Sequence, residues 1–364
     1  MLALLEAFRE HGGFEIELIA SGVARRMLQA AGERPRAFTV GHGRDFVSTG
    51  EPADELVRAA SDLLDETGPD VVLGSLSSCG VGIDEALVAA ARCPTFIMQD
   101  FWGDANLGID VPPALFLAMD EYAVQLTSRR WNLSAVAVGS PKHSRYRWLD
   151  VMAMRHQARA AIGIDDPEQV IGFFGQSPTI PGHDSAFIDF ASGVARLRPR
   201  PLLLVREHLK FRGQGGDLIG VATDLGLRVV NASDGLDVEP WLAACDVVVT
   251  PFSLCGLDHA YLSAHSRRPV GVVVYMLPNP EIQQFMERVT GLNEFPTVER
   301  GMGTVVRRPE EIVPALDAAR QGVEAQRYFE ASEVLRHEGA CRRVIDVIEA
   351  RSSLTRVLPA GVEG

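Results

Sequence analysis

The chain has 364 residues, of which 46% are hydrophobic and 23% charged, and a formal net charge of −13. Such a composition excludes a disordered or fibrous protein, and the length points to two domains rather than one core. The acidic balance disfavours a general nucleic-acid binder, whose affinity rests on clustered Lys and Arg, so a bound phosphate is expected to be small and locally held.

The N-terminal stretch MLALLEAFREHGGFEIELIA reads as an amphipathic helix followed by a strand. It is interrupted by Glu6, Arg9 and Glu10 and lacks a basic leader, which argues against a signal peptide. No run of about 18 uncharged apolar residues occurs, so no transmembrane segment is expected and a cytoplasmic location follows. A doubly wound domain usually opens on a strand with a glycine-rich loop, so the expectation is either a fold that dispenses with that strand or a chain that begins late, with a first strand missing ahead of Met1.

Short apolar runs then alternate with helical patterns, the βαβ signature of a parallel sheet covered on both faces. Strands are expected at FEIELIA (14 to 20), RAFTV (36 to 40), DVVLGS (70 to 75), PTFIMQD (94 to 100), EYAVQL (121 to 126) and AVAVGS (135 to 140). Helices are expected at DELVRAASDLLDET and GIDEALVAAARC. In the second half the strands are QVIGFFG (169 to 175), PLLLVRE (201 to 207), LRVVN (227 to 231), DVVVTP (246 to 251) and PVGVVVY (269 to 275). The chain thus reads as α/β, two Rossmann-like doubly wound parallel-sheet domains facing a cleft. The expected divisions are 1–150, 151–335 and a helical tail, 336–364, packing back on the N-terminal half. The five cysteines (79, 93, 245, 255 and 341) contain no CxxC pair; they read as reduced thiols, with neither a disulfide framework nor a zinc site.

Open α/β sheets bind ligands outside the carboxyl ends of their strands, so the candidate chemistry lies there. VVVTPFSLCGLDHAYLSA places Ser253, Cys255 and Gly256 at a turn, with a helix starting near Leu257 whose dipole and free amides suit a phosphate. Asp258 is within reach of sugar hydroxyls. GSLSSCGVGIDEA echoes the pattern with Ser77, Ser78, Cys79 and Gly80. MQDFWGDANLG brings Asp100, Trp102 and Asp104 within five residues, and a carboxylate partly desolvated beside an aromatic wall suits a general base. FFGQSPTIPGHD offers Gly175 and Gln176, with His183 read as a loop residue. LLLVREHLKFR ends a buried strand in Arg206, Glu207 and His208, of which the arginine and histidine would complement a diphosphate. GHGRDF places His42 after a short strand, where it would border an acceptor.

The junction VAVGSPKHSRY, the restart VIGFFGQSP, the strand end LLLVREH and the segment LAACDVVVTPFSLCGLDHAYLSA together resemble the GT-B glycosyltransferase superfamily, with nucleotide-sugar 2-epimerases and the glycerophosphotransferases of teichoic acid synthesis as neighbours in layout. The resemblance implies a bacterial hexosyltransferase-like enzyme moving a sugar from a nucleotide-diphosphate sugar to a hydroxyl acceptor without a metal or resident cofactor. It places Gly175, Gln176, Arg206, His208, Ser253, Cys255, Gly256, Leu257 and Asp258 at the nucleotide sugar. Ser77, Ser78, Gly80, Trp102 and His42 fall to the acceptor, with Asp100 or Asp104 as base. The chain departs from the 2-epimerases in lacking their Ser-Gly-Gly segment with its Glu pair and their His-Arg-Glu-Asn run, which puts epimerisation second. A non-catalytic nucleotide-sugar-binding protein is the other alternative, and a homodimer is compatible with each.

Overall fold

The computed structural model describes residues 2–38, 40, 45–48, 50–77, 80–106, 108–164, 168–234, 237–336 and 339–357. The chain divides into two compact units, Met1–Ser144 with Glu338–Gly364, and Arg145–His337.

In the first unit a four-stranded parallel sheet takes its strands in chain order, Val72–Gly74, Thr95–Met98, Leu115–Ala118 and Ala135–Ala137. On one face Phe96, Leu115, Leu117 and Val138 pack with Leu4 of helix Leu2–His11 and with Val344 and Ile348 of helix Ala340–Val357. On the other, Ile97 and Phe116 meet Val88 of helix Ile83–Ala90. Helix Asp54–Thr67 runs over the residues expected and ends at Gly68 in the left-handed conformation that favours glycine.

Two expectations about this unit are corrected. EYAVQL is not a strand but the start of helix Glu121–Trp131. Asp120 caps it by accepting from the Ala123 amide, and Ala123, Leu126 and Thr127 bury at helical spacing. The strand lies just before, in LFLA, Leu115–Ala118, buried throughout. FEIELIA yields only the two-residue strand Ile19–Ala20, paired in parallel with Arg36–Ala37.

The second unit holds a six-stranded parallel sheet. Its spatial order is Val229–Asn231, Leu202–Arg206, Val170–Phe174, Val247–Thr250, Val272–Met276, Thr304–Val306. Strands Val170–Phe174 and Val247–Thr250 are neighbours, with Val247 opposite Ile171, and from this pair the chain order runs outward in both directions. The four central strands are buried along their lengths, as a sheet covered on both faces requires. Thr304–Val306 adds an edge strand that its short sequence did not announce.

A part-buried ionic network closes the amino-terminal edge of this sheet. Asp246 accepts from the Val170 amide at 2.8 Å, from Arg155 at 2.5 Å and from Arg159 at 3.4 Å. Arg155 also donates to the carbonyls of Ala243, Cys245 and Val270, and Arg159 to those of Ala244 and Glu168. Two arginines one turn apart on helix Val151–Ala161 thereby satisfy backbone groups that three strand starts leave unpaired.

Candidate functional site

At the carboxyl ends of the central strands of the second unit lies the point where the strand order reverses, between Val170–Phe174 and Val247–Thr250. Helices leave this point in opposite directions, His183–Arg196 after the first strand and Cys255–His265 after the second. A doubly wound sheet binds its ligands at such a point, where the positive ends of two helix dipoles lie nearby.

Hydrogen bonds tie the two strand ends together. Thr250 Oγ1 donates to the Phe174 carbonyl at 2.8 Å, and Gln176 Oε1 accepts from the Phe252 amide at 3.0 Å. Gly175 donates its amide to the Arg206 carbonyl, joining the third strand end. His183 is buried at the start of its helix rather than free in a loop, which corrects the expectation. Its Nε2 accepts from the Gln176 amide at 3.3 Å; the ring proton therefore sits on Nδ1, where it donates to Asp184 at 3.0 Å. The signal for His183 was its place just after Pro181 and Gly182, where a helix can start.

Ser253 is partly open to solvent, and its Oγ accepts from the Cys255 amide at 3.2 Å while its carbonyl accepts from Gly256. The first amides of the helix are thus already engaged. An anion here gains from the helix dipole and from the Ser253 hydroxyl proton, which remains free to donate. Arg206, buried at its strand end, holds the carbonyls of Ala232 and Asp234 and lies close enough to feel Cys255. Burial lowers its pKa, yet an arginine retains its charge. The His208 ring sits 5.4 Å from that of Phe211.

Three residues of VVVTPFSLCGLDHAYLSA have a different place from the one expected. Gly256 is buried, and a Cβ there would meet Tyr275 Oη at 2.6 Å. Its smallness lets the helix lie on the Tyr275 ring, which stacks on Phe295 at 4.0 Å and bonds Thr297. Gly256→Ala is therefore expected to cost about 1–3 kcal/mol through overpacking, measurable as a lowered denaturant midpoint. Leu257 and Asp258 are each 3% exposed. Asp258 lies near Tyr146 and Glu239, and burial first, then the charges of these two acids, pushes the Tyr146 hydroxyl pKa up. Tyr146 donates to Glu239 at 3.1 Å and Arg145 pairs with the same carboxylate. Burial works to raise the Glu239 pKa, but its backbone hydrogen bond and Arg145 hold it below the ordinary value.

In the first unit the loops after Val72–Gly74 and Thr95–Met98 come together. Asp84 and Glu85, the second and third residues of helix Ile83–Ala90, reach back to the amides of Ser75, Ser77 and Gly82. Asn106 donates to the Gly80 carbonyl at 2.7 Å, linking the two loops. The acid pair at a helix start was the overlooked signal, since Glu85 stands in capping-box spacing to Gly82. Gly80 has a φ of 129°, and a Cβ there would meet the Val47 carbonyl at 2.3 Å, so only glycine fits. Trp102, read as an aromatic wall for an acceptor, is 2% exposed and donates its indole N–H to Asp120; it is a packing group. His42 and Ser78 lie outside the described residues.

Asp104 is the acid–base candidate this geometry favours over the exposed Asp100. Burial first, and the nearby charge of Asp100 second, push its carboxyl up to about 6 against the pull of Arg130. Gln99 fixes the loop by donating to the Asp104 carbonyl at 2.7 Å and to Thr127 at 2.8 Å, and Trp131 holds the Gly103 carbonyl. Among the described residues no group of three or more His, Cys, Asp and Glu side chains gathers as a metal site, and no helix is long and apolar enough to cross a membrane.

No family model matches the chain, and no curated protein matches it. Solved structures do. The S. aureus MnaA–UDP structure aligns with a TM-score of 0.69 at 13% identity, covering 100% of this chain and 95% of the other. UDP-GlcNAc 2-epimerase from Neisseria meningitidis, bound to UDP-GlcNAc, aligns at 0.64 with 12% identity over 96% and 95%. A glycosyltransferase from Rickettsia africae aligns at 0.61 with 9% identity over 98% and 94%. The fold is GT-B. Within it, the reversal point of the second unit belongs to the GT-B half that begins near Arg145, and the Asp104 loop to the other.

Proposed function

We propose that this GT-B chain acts on a nucleotide sugar, with the nucleoside diphosphate held at the reversal point of the second unit. The observation that carries the reading is the convergence there of Gly175, Gln176, Arg206, Ser253 and Cys255 with the starts of two helices. A dipole pair, a buried arginine and a serine hydroxyl are the groups a diphosphate recruits. Two of the aligned structures, the S. aureus MnaA–UDP structure and the Neisseria meningitidis enzyme bound to UDP-GlcNAc, support the same class of ligand.

The reaction we propose is metal-independent glycosyl transfer to a hydroxyl acceptor. Asp104, ionised above about pH 6, takes the acceptor proton as the new glycosidic bond forms and the diphosphate leaves. Epimerisation at the sugar is the second reading, favoured by the 2-epimerases among the aligned structures.

Incubation with UDP, GDP, ADP and CDP sugars, with and without mixed hydroxyl acceptors and followed by proton NMR, tests both. Acceptor-dependent release of a nucleoside diphosphate is the expected result. A changed C2 configuration without release would establish the second reading, and binding with neither change would overturn both.

A further inference from the structure

A polar cavity lies at the opposite, amino-terminal edge of the six-stranded sheet, away from the site above. Gln169 immediately precedes strand Val170–Phe174, Arg200 stands just ahead of strand Leu202–Arg206, and Arg320 follows helix Ile312–Ala319; all three line a cavity of about 460 Å³. This volume lies in the range of small-ligand sites. Apart from Pro199, the residues that line it are charged or carry amides, a set that can hold an ion.

The floor is rigid. Arg320 has a side chain only 6% exposed, donates to Gln169 Oε1 at 2.5 Å and to the Pro199 carbonyl at 2.9 Å, and pairs with Asp317 at 3.2 Å. Gln169 returns a bond to the Arg320 carbonyl. Glu168, the other acid of the wall, is taken by Arg228 at 2.9 Å.

Arg198 and Arg200 are different. Both are exposed, and both spend Nη1 on backbone carbonyls, Arg198 on Ala195 and Leu197 and Arg200 on Gly226. Among the described residues neither has a carboxylate partner, although the chain carries 48 acids against 35 Lys and Arg. Carbonyl bonds occupy Nη1 of each guanidinium without neutralising its charge, so two heads stand beside a third with Nε and Nη2 left to donate. Planar N–H forks of this kind match the paired oxygens of phosphate and carboxylate groups.

We infer that this cavity is a second ligand site, for a small multiply charged oxyanion of pyrophosphate size, held by Arg198 and Arg200 over the Arg320 floor. It is independent of the proposed nucleotide site, since the two lie at opposite ends of the same strands.

Calorimetric titration of inorganic pyrophosphate at fixed ionic strength tests it, using the full chain, Arg198→Ala with Arg200→Ala, and Ser253→Tyr at the other site. The wild type and Ser253→Tyr are expected to bind, and the double variant to bind roughly tenfold or more weakly, as loss of charge-assisted hydrogen bonds implies. The single variant Arg200→Glu, with an unfolding midpoint checked against wild type, is expected to weaken binding as well. Unchanged affinity in the arginine variants, binding lost only in Ser253→Tyr, or no binding by the wild type would each overturn the inference.

Discussion

Asp104→Asn is expected to lower nucleotide-sugar turnover by about 10²- to 10⁴-fold, the usual contribution of a positioned acid–base group, while making the folded chain more stable above pH 6. The second effect follows from the pKa shift. In the folded chain the carboxyl rises from 3.8 to about 6, chiefly through burial. Between those values the folded state keeps a proton that the unfolded chain has released. The stabilising share of the protonated group is thus complete below pH 3.8, and it is lost as pH rises through about 6. Asparagine cannot ionise, so the variant escapes this loss. It should gain up to about 3 kcal/mol over the wild type at pH 8, less whatever solvent access to the carboxyl already relieves. Denaturant unfolding at pH 4 and pH 8 measures the difference. In the wild type, activity should rise through pH 6 as the base ionises, and Asp104→Asn should abolish that limb. A variant as active as the wild type would remove Asp104 from the reaction, whatever its stability.

Asp246→Ala should destabilise the second unit by about 1–3 kcal/mol, since it removes a charged acceptor from a buried arginine and from a strand amide. Arg159 is only 4% exposed in its side chain and Arg155 13%. Both would keep their carbonyl contacts but lose the Asp246 carboxylate, and the Val170 amide would lose its acceptor. Stability measured by urea unfolding should therefore fall well beyond the change typical of surface substitutions. A loss below about 1 kcal/mol would mean that water or rearranged carbonyls replace Asp246 readily.

The parallel sheets were legible because their central strands are buried on both faces and so read as unbroken apolar runs. VIGFF, LLLVR and VVVT each stand where periodicity placed them. EYAVQL misled because six residues of mixed character fit either period; what decides for helix is the cap at Asp120 and the continuation to Trp131, both outside the window read. Strand Thr304–Val306 has only three residues and a single buried side chain, too little for a pattern.

Site residues were legible as positions and less so as roles. Gln176, Arg206 and Ser253 stand at strand ends that converge, as the topology rule implies. Gly256 shows the limit of that reasoning: a glycine at a turn admits a ligand or a neighbouring ring equally well, and here the ring of Tyr275, distant in sequence, fills the space. Trp102 and Asp120 are likewise joined by a fold contact that spacing could not reveal. The Asp84 and Glu85 braces were within reach of sequence reasoning, because their capping spacing is local.

The central claim is that a nucleoside diphosphate binds where the strand order of the second unit reverses. Calorimetric titration of UDP into the wild type and into Ser253→Tyr, with GDP, ADP and CDP as alternatives, tests it most directly. One equivalent is expected to bind the wild type, with affinity reduced roughly tenfold or more when the tyrosine fills the anion's place and removes the serine hydroxyl. Failure of every nucleoside diphosphate to bind, or equal affinity in the two proteins, would contradict the account.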